Sequence, residues 1–417
     1  MDWQSLTEKL KKMGMEVGAS KNFKAGSLKP NPIEQVTDGR FINTIYGPVY
    51  AVRKTLDATY IHGGAPLQPR SGWSRISTQS RLPALAQAPL ENFVYLDTET
   101  TGLSGGTGTM AFMVGAARFS GSELILEQFF LRNPAEEPAL LAALEGFCQG
   151  MEAVVSYNGK SFDIPILNTR YILQGFDSPF ESIAHFDLLA LSRRIWRRRL
   201  QQCNLGNIER EILGFIRTEA DIPGYLVPEY YRDYLQTHDA YPLRGIFYHN
   251  QQDVVSLSAL FARLADLLEN PHENLLSEPK DATSLGSVLE RMGETELALF
   301  QFERGASLSQ QRDDRVQALL RQAQVLKRQQ NIRLSLPLWQ EAAALDSIPA
   351  LIELAKYYEH VEKNAEEALT HTRQAMILSQ KLQGFVHQSI PDIRQIERRL
   401  ERLQNKIDKL NSLGEQR

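Results

Sequence analysis

The chain has 417 residues, 42% of them hydrophobic and 23% charged, enough for two or three domains that each bury a core. Its 46 Lys+Arg against 50 Asp+Glu leave a formal net charge of −4, which argues against a generally basic nucleic-acid coat but allows a local basic groove. The two cysteines, Cys148 and Cys203, lie far apart, which speaks against a disulfide framework or a zinc site and fits a reducing, cytoplasmic compartment. No apolar run approaches the roughly 18 residues of a membrane span, so no membrane partner is expected.

"MDWQSLTEKLKKMGM" opens the chain as a short amphipathic helix candidate without the apolar core of a signal peptide. Residues 1–90 read as an N-terminal extension with one strand-like run, "GPVYAVRKTLDA", and an irregular Pro/Gly/Ser/Arg-rich connection from Gly63 to Pro89. Residues 91–268 alternate strand and helix signals. "FVYLDTE", "TMAFMVGAARF" and "ELILEQFFL" are strand-like, and short polar turns join them. "EEPALLAALEGFCQG" then reads as a helix, "AVVSYN" as a short strand and "DIPILNTRYILQG" as a helix with Pro165 near its start. The order predicts an α/β layer: a mixed sheet of three antiparallel strands plus parallel strands, with flanking helices.

From residue 280 to 417 the pattern is helical only, and it repeats. "VLERMGETELALFQFERGASL" from Val288 aligns with "VLKRQQNIRLSLPLWQEAAAL" from Val325 and with "YYEHVEKNAEEALTHTRQAMIL" from Tyr357. The alignment equates Leu299, Leu336 and Leu369, spacings of 37 and 33, and equates Phe302, Trp339 and Thr372. Such a period is near that of tetratricopeptide units, two antiparallel helices each, although a plain bundle would also be helical throughout. The last helix carries Ile393, Ile396, Leu400, Leu403, Ile407 and Leu410 on one seam, which caps the stack or pairs with a partner.

Within this frame Asp97 and Glu99 stand two residues apart on a strand, so both project from one face. Desolvating two unpaired carboxylates is expensive, so a cation is expected beside them unless the strand is an exposed edge. Asp163, after the turn "YNGKSF", and Asp253, ahead of the helical stripe Val254, Leu257, Leu260, Phe261 and Leu264, each read alone as helix caps. Asp187 in "HFDLLAL" reads as a cap as well. Taken as a set, Asp97, Glu99, Asp163 and Asp253 are hard oxygen donors suited to Mg²⁺ or Mn²⁺ if the sheet brings them together.

"DTETTGL", then "NGKSFD", then "HNQQD" resembles the three motifs of the DEDD exonuclease superfamily within the ribonuclease H-like fold. "HFDLLALSRRIWRRRL", "NLGNIEREILGF" and "IPGYLVPEYYRDYL" are similar to intervening segments of bacterial YprB-type ribonuclease H-like proteins, which also carry tetratricopeptide-like C-terminal repeats. The resemblance implies a nuclease, working 3′→5′ on DNA or RNA, whose metal ligands are Asp97, Glu99, Asp163 and Asp253. It implies two divalent ions, roughly 3.5–4 Å apart, that clamp the scissile phosphate.

The third motif departs from that pattern. Superfamily members place a water-activating Tyr four residues before the last Asp or a His five before it, whereas here His249 is at four and Tyr248 at five. On a helix His249 shares the face of Asp253, and an imidazole is the better base near neutral pH, so His249 is the expected base. The candidate nucleic-acid contacts are Thr98, Gly102 and Leu103 from the first motif and Asn158 and Phe162 from the second, with Arg194, Arg197 and Arg198 in "SRRIWRRRLQQ". The glycine run allows close backbone approach or is a flexible hairpin; Asn158 also suits a turn and Phe162 packing. The arginines line a phosphate track or a solvated helix face. The competing expectation is a nucleic-acid-binding interaction protein with little or no nuclease activity, its helical repeats docking a protein partner.

Overall fold

In the computed structural model, residues 30–57, 59–102, 108–218, 221–273, 276–382 and 393–414 are described. The N-terminal helix candidate and Leu103 lie outside them.

Seven strands form one mixed sheet. They are β1 (Gly39–Thr44), β2 (Gly47–Asp57), β5 (Phe93–Thr100), β6 (Ala111–Ser120), β7 (Glu123–Phe130), β8 (Ala153–Ser156) and β9 (Ala184–Asp187), in the order β1-β2-β7-β6-β5-β8-β9. From β1 to β5 the neighbours are antiparallel, while β8 joins β5 and β9 joins β8 in parallel. The three antiparallel strands expected from sequence are β5, β6 and β7. The β1–β2 hairpin lengthens that set, because Tyr50 to Asp57 pair with Phe130 to Glu123. Only its second strand was legible, since β1 ("GRFINT") is mostly polar and solvent-facing.

β5 is central and almost wholly buried, as its continuous apolar start requires. One face of the sheet is covered by α3 (Glu137–Phe147), α4 (Asp163–Leu173) and α7 (Val227–Thr237), packed with Val94, Leu96, Val114 and Phe129. The other is crossed by α8 (Arg244–Glu269), whose Val254, Leu257, Phe261 and Leu264 pack on Phe93, Tyr95 and Ala117. The Pro/Gly-rich stretch after β2 is irregular in outline but packed. It holds the two-residue strands β3 (Ile61–His62) and β4 (Ala65–Pro66) and the short helix α2 (Ser74–Gln79), α1 being the single turn Ile33–Val36 ahead of β1. Arg70 pairs with Asp266 at 3.1 Å, and the Arg75 backbone N–H donates to Glu269 at 2.6 Å, so the segment straps the outer side of α8.

Among the described residues the C-terminal region holds helices and no strand: α9 (Pro279–Met292), α10 (Thr295–Leu308), α11 (Arg312–Arg328), α12 (Ile332–Ala344), α13 (Ile348–His360), α14 (Ala365–Leu382) and α15 (Ile393–Gly414). Consecutive helices pack in sequence. The equated positions Phe302, Trp339 and Thr372 fall on α10, α12 and α14, and each is buried. On α15, Ile396 and Leu403 are buried against the stack while Leu410 is exposed. Buried Glu359 of α13 pairs with Arg399 at 2.8 Å and with Arg402, which fixes that last helix.

Candidate metal centre and its cleft

Strand alternation puts Asp97 and Glu99 on the face of β5 that α8 covers. Close approach of α8 depends on Gly115, the register partner of Asp97 on β6. A Cβ there would stand 2.2 Å from Asn250 Oδ1 and 2.8 Å from Val254. With no side chain at 115, Asn250 reaches in and donates its amide to the Asp97 carboxylate at 3.0 Å. The other side of that amide accepts from Gln128 Nε2 at 2.9 Å, which fixes its orientation.

Helix geometry supplies the next two groups. His249 and Asp253 are one turn apart on α8, with Nε2 to Oδ2 at 3.2 Å. Ligand atoms of Glu99, His249 and Asp253 all lie within 4.8 Å of one another. The Tyr248 hydroxyl points elsewhere and accepts the Thr218 backbone N–H at 3.0 Å.

Asp163 arrives from the opposite edge of β5. The β5–β8 pairing runs from Phe93 to Tyr95, so β5 extends beyond its neighbour and its later backbone groups need other partners. After β8 the chain turns through Asn158 (φ +68) and Gly159, and α4 starts at Asp163. Asp163 is not the N-cap, since Phe162 occupies that position. Its carboxylate instead accepts the Thr98 backbone N–H at 3.1 Å and the Thr98 hydroxyl at 2.5 Å. Thr98 is thus buried as the anchor of Asp163, and Phe162 packs into the core beneath α4. Asp187 is the N-cap of α5 (Leu188–Trp196) and also accepts the Asn158 N–H at 2.9 Å, tying down the turn that leads to Asp163. Gly102 ends the described part of the first motif, its carbonyl accepting from Thr100 Oγ1 at 2.7 Å.

The segment between α5 and α7 contributes groups that periodicity did not suggest. A π-helical turn, Glu209–Leu213, follows α6 (Leu205–Ile208) and ends at Gly214 in the left-handed region. Glu209 is 1% exposed and binds Arg217 through Nε and Nη2, both at 2.7 Å. Ser256 donates to Glu209 at 2.6 Å, and the ring of His62 on β3 stands 2.7 Å behind that hydroxyl. Braced in this way, Arg217 also donates to Asp253 and stands 3.0 Å from His249 Nδ1. Asp221 is 2.7 Å from the same Nδ1.

The electrostatics carry a strong imprint of crowding. Burial, then the charges of Asp253, Asp163 and Glu99, hold the Asp97 carboxyl well above its usual range, against the Asn250 hydrogen bond. Burial, then Asp253 and Asp163, do the same to Glu99 although Arg217 opposes them. Burial raises Asp163 to about 6 against the pull of the two Thr98 bonds. Burial works against the charge on Arg217, but Asp253 and Glu209 outweigh it and hold the guanidinium more firmly protonated than usual. Carboxylates gathered in excess of the guanidinium between them, with an imidazole alongside, form a donor set that fits a hard divalent cation. Asp97, His249 and Asp253 line a cleft of about 630 Å³ that is also walled by Tyr157, Arg210, Arg217 and Asp221.

The arginines of "SRRIWRRRLQQ" divide. Arg197 is exposed and lines a neighbouring groove of about 710 Å³, together with Arg193 and Asn158. Arg198 donates to Gln317 and lies 3.8 Å from Asp314, both on α11. Arg194 is exposed beside Arg291 of α9.

The RNase_H superfamily profile matches residues 94–265, a span that opens in β5 and closes in α8. The Bacillus subtilis (strain 168) protein described as "Uncharacterized protein YprB" is 33% identical over 293 residues, covering 68% of this chain and 69% of that one. The chain belongs to the ribonuclease H superfamily. All four acids and His249 fall inside the superfamily match, and membership points to nuclease-type chemistry on nucleic acid with divalent metal. Among the described residues, no helix is long and apolar enough to cross a membrane.

Proposed function

We propose that the protein is a divalent-metal-dependent nuclease that hydrolyses phosphodiester bonds of DNA or RNA, acting as a 3′→5′ exonuclease. The observation that supports this most is the crowding of buried acids at the end of β5: the charges of Glu99, Asp163 and Asp253 act on Asp97, and ligand atoms of Glu99, His249 and Asp253 lie within 4.8 Å of one another. These four carboxylates would hold two Mg²⁺ or Mn²⁺ ions, which supply Lewis acidity and neutralise charge developing on the phosphate.

The chain's own groups have separable tasks. Asp221 and Arg217, 2.7 Å and 3.0 Å from Nδ1, hold the His249 ring so that Nε2 faces the acids, where it would take the proton of the attacking water. Asn250 and Thr98 orient Asp97 and Asp163. Arg217, fixed by Glu209, supplies positive charge at the cleft wall. Residues 91–268 form the nuclease unit in this reading. The region 280–417 is a tetratricopeptide-like stack that docks a protein partner, capped by α15.

End-labelled single-stranded DNA and RNA, incubated with Mg²⁺, Mn²⁺ or EDTA, test the assignment. Metal-dependent shortening from the 3′ end, lost in Asp97→Asn and Asp253→Asn, is the expected outcome. Intact substrate under every condition refutes it. One feature favours the second reading, a nucleic-acid-binding interaction protein: Arg217 already occupies an oxygen of Asp253 that a metal needs. Under that reading strand binding survives Asp253→Asn and no divalent ion stimulates cleavage.

A further inference from the structure

The cleft over the acids and the groove beside it share three lining residues, Tyr157, Asn204 and Leu205, so they form one continuous channel. Its far arm carries Arg193 and Arg197. They are one helical turn apart, about 6 Å along the axis, at the end of α5. Both side chains are exposed, and among the described residues neither belongs to an ion pair. The other arginines of the run are engaged differently. Arg198 and Arg199 reach Asp314 and Asp281 of the helical region, Arg199 at 2.8 Å, and Arg194 is beside Arg291. The end of α5 and the turn after it thus divide one basic run into residues that hold α9 and α11 and residues left open on the channel.

Two unpaired guanidinium groups in a groove that leads to a negative centre need an anionic occupant long enough to reach both ends. A chain with net charge −4 needs such a local track to hold a polyanion at all. Tyr157 lines both arms and its hydroxyl donates to the Cys203 carbonyl at 2.7 Å, so the wall at the junction is held in place. Gln201 and Gln202 give the far arm a polar lining without further charge.

We propose that this arm is the binding track for a single nucleic-acid strand: with the strand's terminus at the acid cluster, its next phosphates pass Tyr157 and lie on Arg193 and Arg197. The proposal rests on the nuclease reading for which end of the channel holds the terminus. The chemistry recognised is the phosphodiester backbone, shared by DNA and RNA.

The test uses the full chain with Ca²⁺ in place of Mg²⁺. It measures fluorescence anisotropy of labelled oligo-dT, oligo-rU and a blunt duplex of equal length over a range of NaCl concentrations. Arg193→Ala/Arg197→Ala should weaken single-strand binding several-fold. It should also reduce the slope of log K against log salt by about 1.4, two phosphates at about 0.7 each. Arg193→Lys/Arg197→Lys should restore most of that slope, because charge rather than shape carries it. Arg194→Ala/Arg198→Ala should leave the slope unchanged. An unchanged slope in the 193/197 double variant, or an equal loss in the 194/198 variant, overturns the track. So does duplex binding that is as tight and equally dependent on the pair. The parent activity is read separately in Mg²⁺. If the wild type cleaves while the slope does not move, the track falls and the nuclease stands. If nothing is cleaved but the slope drops as expected, the track stands and the catalytic reading falls.

Discussion

Replacing Glu99 by Gln should make the metal-free protein more stable and make it indifferent to divalent ions. Glu99 is 8% exposed, and its carboxylate lies within 4.8 Å of that of Asp253. Two unit charges at that separation repel by about 3.5 kcal/mol at an effective dielectric constant of 20. Arg217 offsets part of this, so a gain of about 1–2 kcal/mol is expected from the neutral, nearly isosteric amide. The pH dependence has a definite sign. Burial and the neighbouring acids raise the Glu99 pKa above its ordinary value of 4.5. Its stabilising contribution is therefore complete below that value and is lost as pH rises through the folded-state pKa. Urea unfolding in EDTA should find the two proteins equal near pH 4, with the variant ahead near pH 8. Mn²⁺ at about a hundredfold over its dissociation constant should stabilise the wild type by about 2.7 kcal/mol. It should not stabilise Glu99→Gln measurably. A variant less stable than wild type at pH 8, or equal Mn²⁺ stabilisation of both, would refute the crowding argument.

Other expectations follow from individual contacts. His249→Ala should lower turnover by roughly 10²–10⁴-fold while the Mn²⁺ thermal shift largely survives. Tyr248→Phe should change turnover little, because its hydroxyl serves the Thr218 backbone. Gly115→Ala should cost about 1–3 kcal/mol in urea unfolding, since the new methyl meets Asn250 at 2.2 Å; the Mn²⁺ shift should shrink with it as α8 is pushed off β5. Fully buried His62 is held down to about 4 by burial, then by Arg217. A histidine lowered from 6.5 contributes stability that is full above 6.5 and lost as pH falls toward 4, up to about 3 kcal/mol. Urea titrations at stepped pH should show that loss flattened in His62→Gln.

Several parts of the centre were legible because they obey a local period. Asp97 and Glu99 share a face because a strand repeats every second residue, and His249 meets Asp253 because a helix repeats at four. The buried positions Phe302, Trp339 and Thr372 repeat with the helical region for the same reason: each helix must bury one face against the next. Asp163 read alone looks like a helix cap and only as one of four acids like a ligand, and no local period fixes what its carboxylate meets. Its real partner, Thr98, lies 65 residues earlier.

What local pattern cannot carry is which distant segment fills a space. Arg217 and Asp221 sit in an aperiodic stretch, as does Glu209 behind Arg217, and no spacing marks the first two as partners of Asp253 and His249, 28 to 36 residues on. Gly115 looked like any strand glycine until α8 was laid across it. The five arginines around Trp196 were indistinguishable in sequence, and the docking of α9 and α11 decided which of them stayed open. The sequence by itself determined the chemistry available: Asp97 and Glu99 on one strand face, Asp253 with an imidazole one turn away, and a fourth acid after a turn. Tertiary structure alone decided the compensation around them, because charge balance in a buried site depends on whatever the folded chain brings within a few ångströms, at any separation along it.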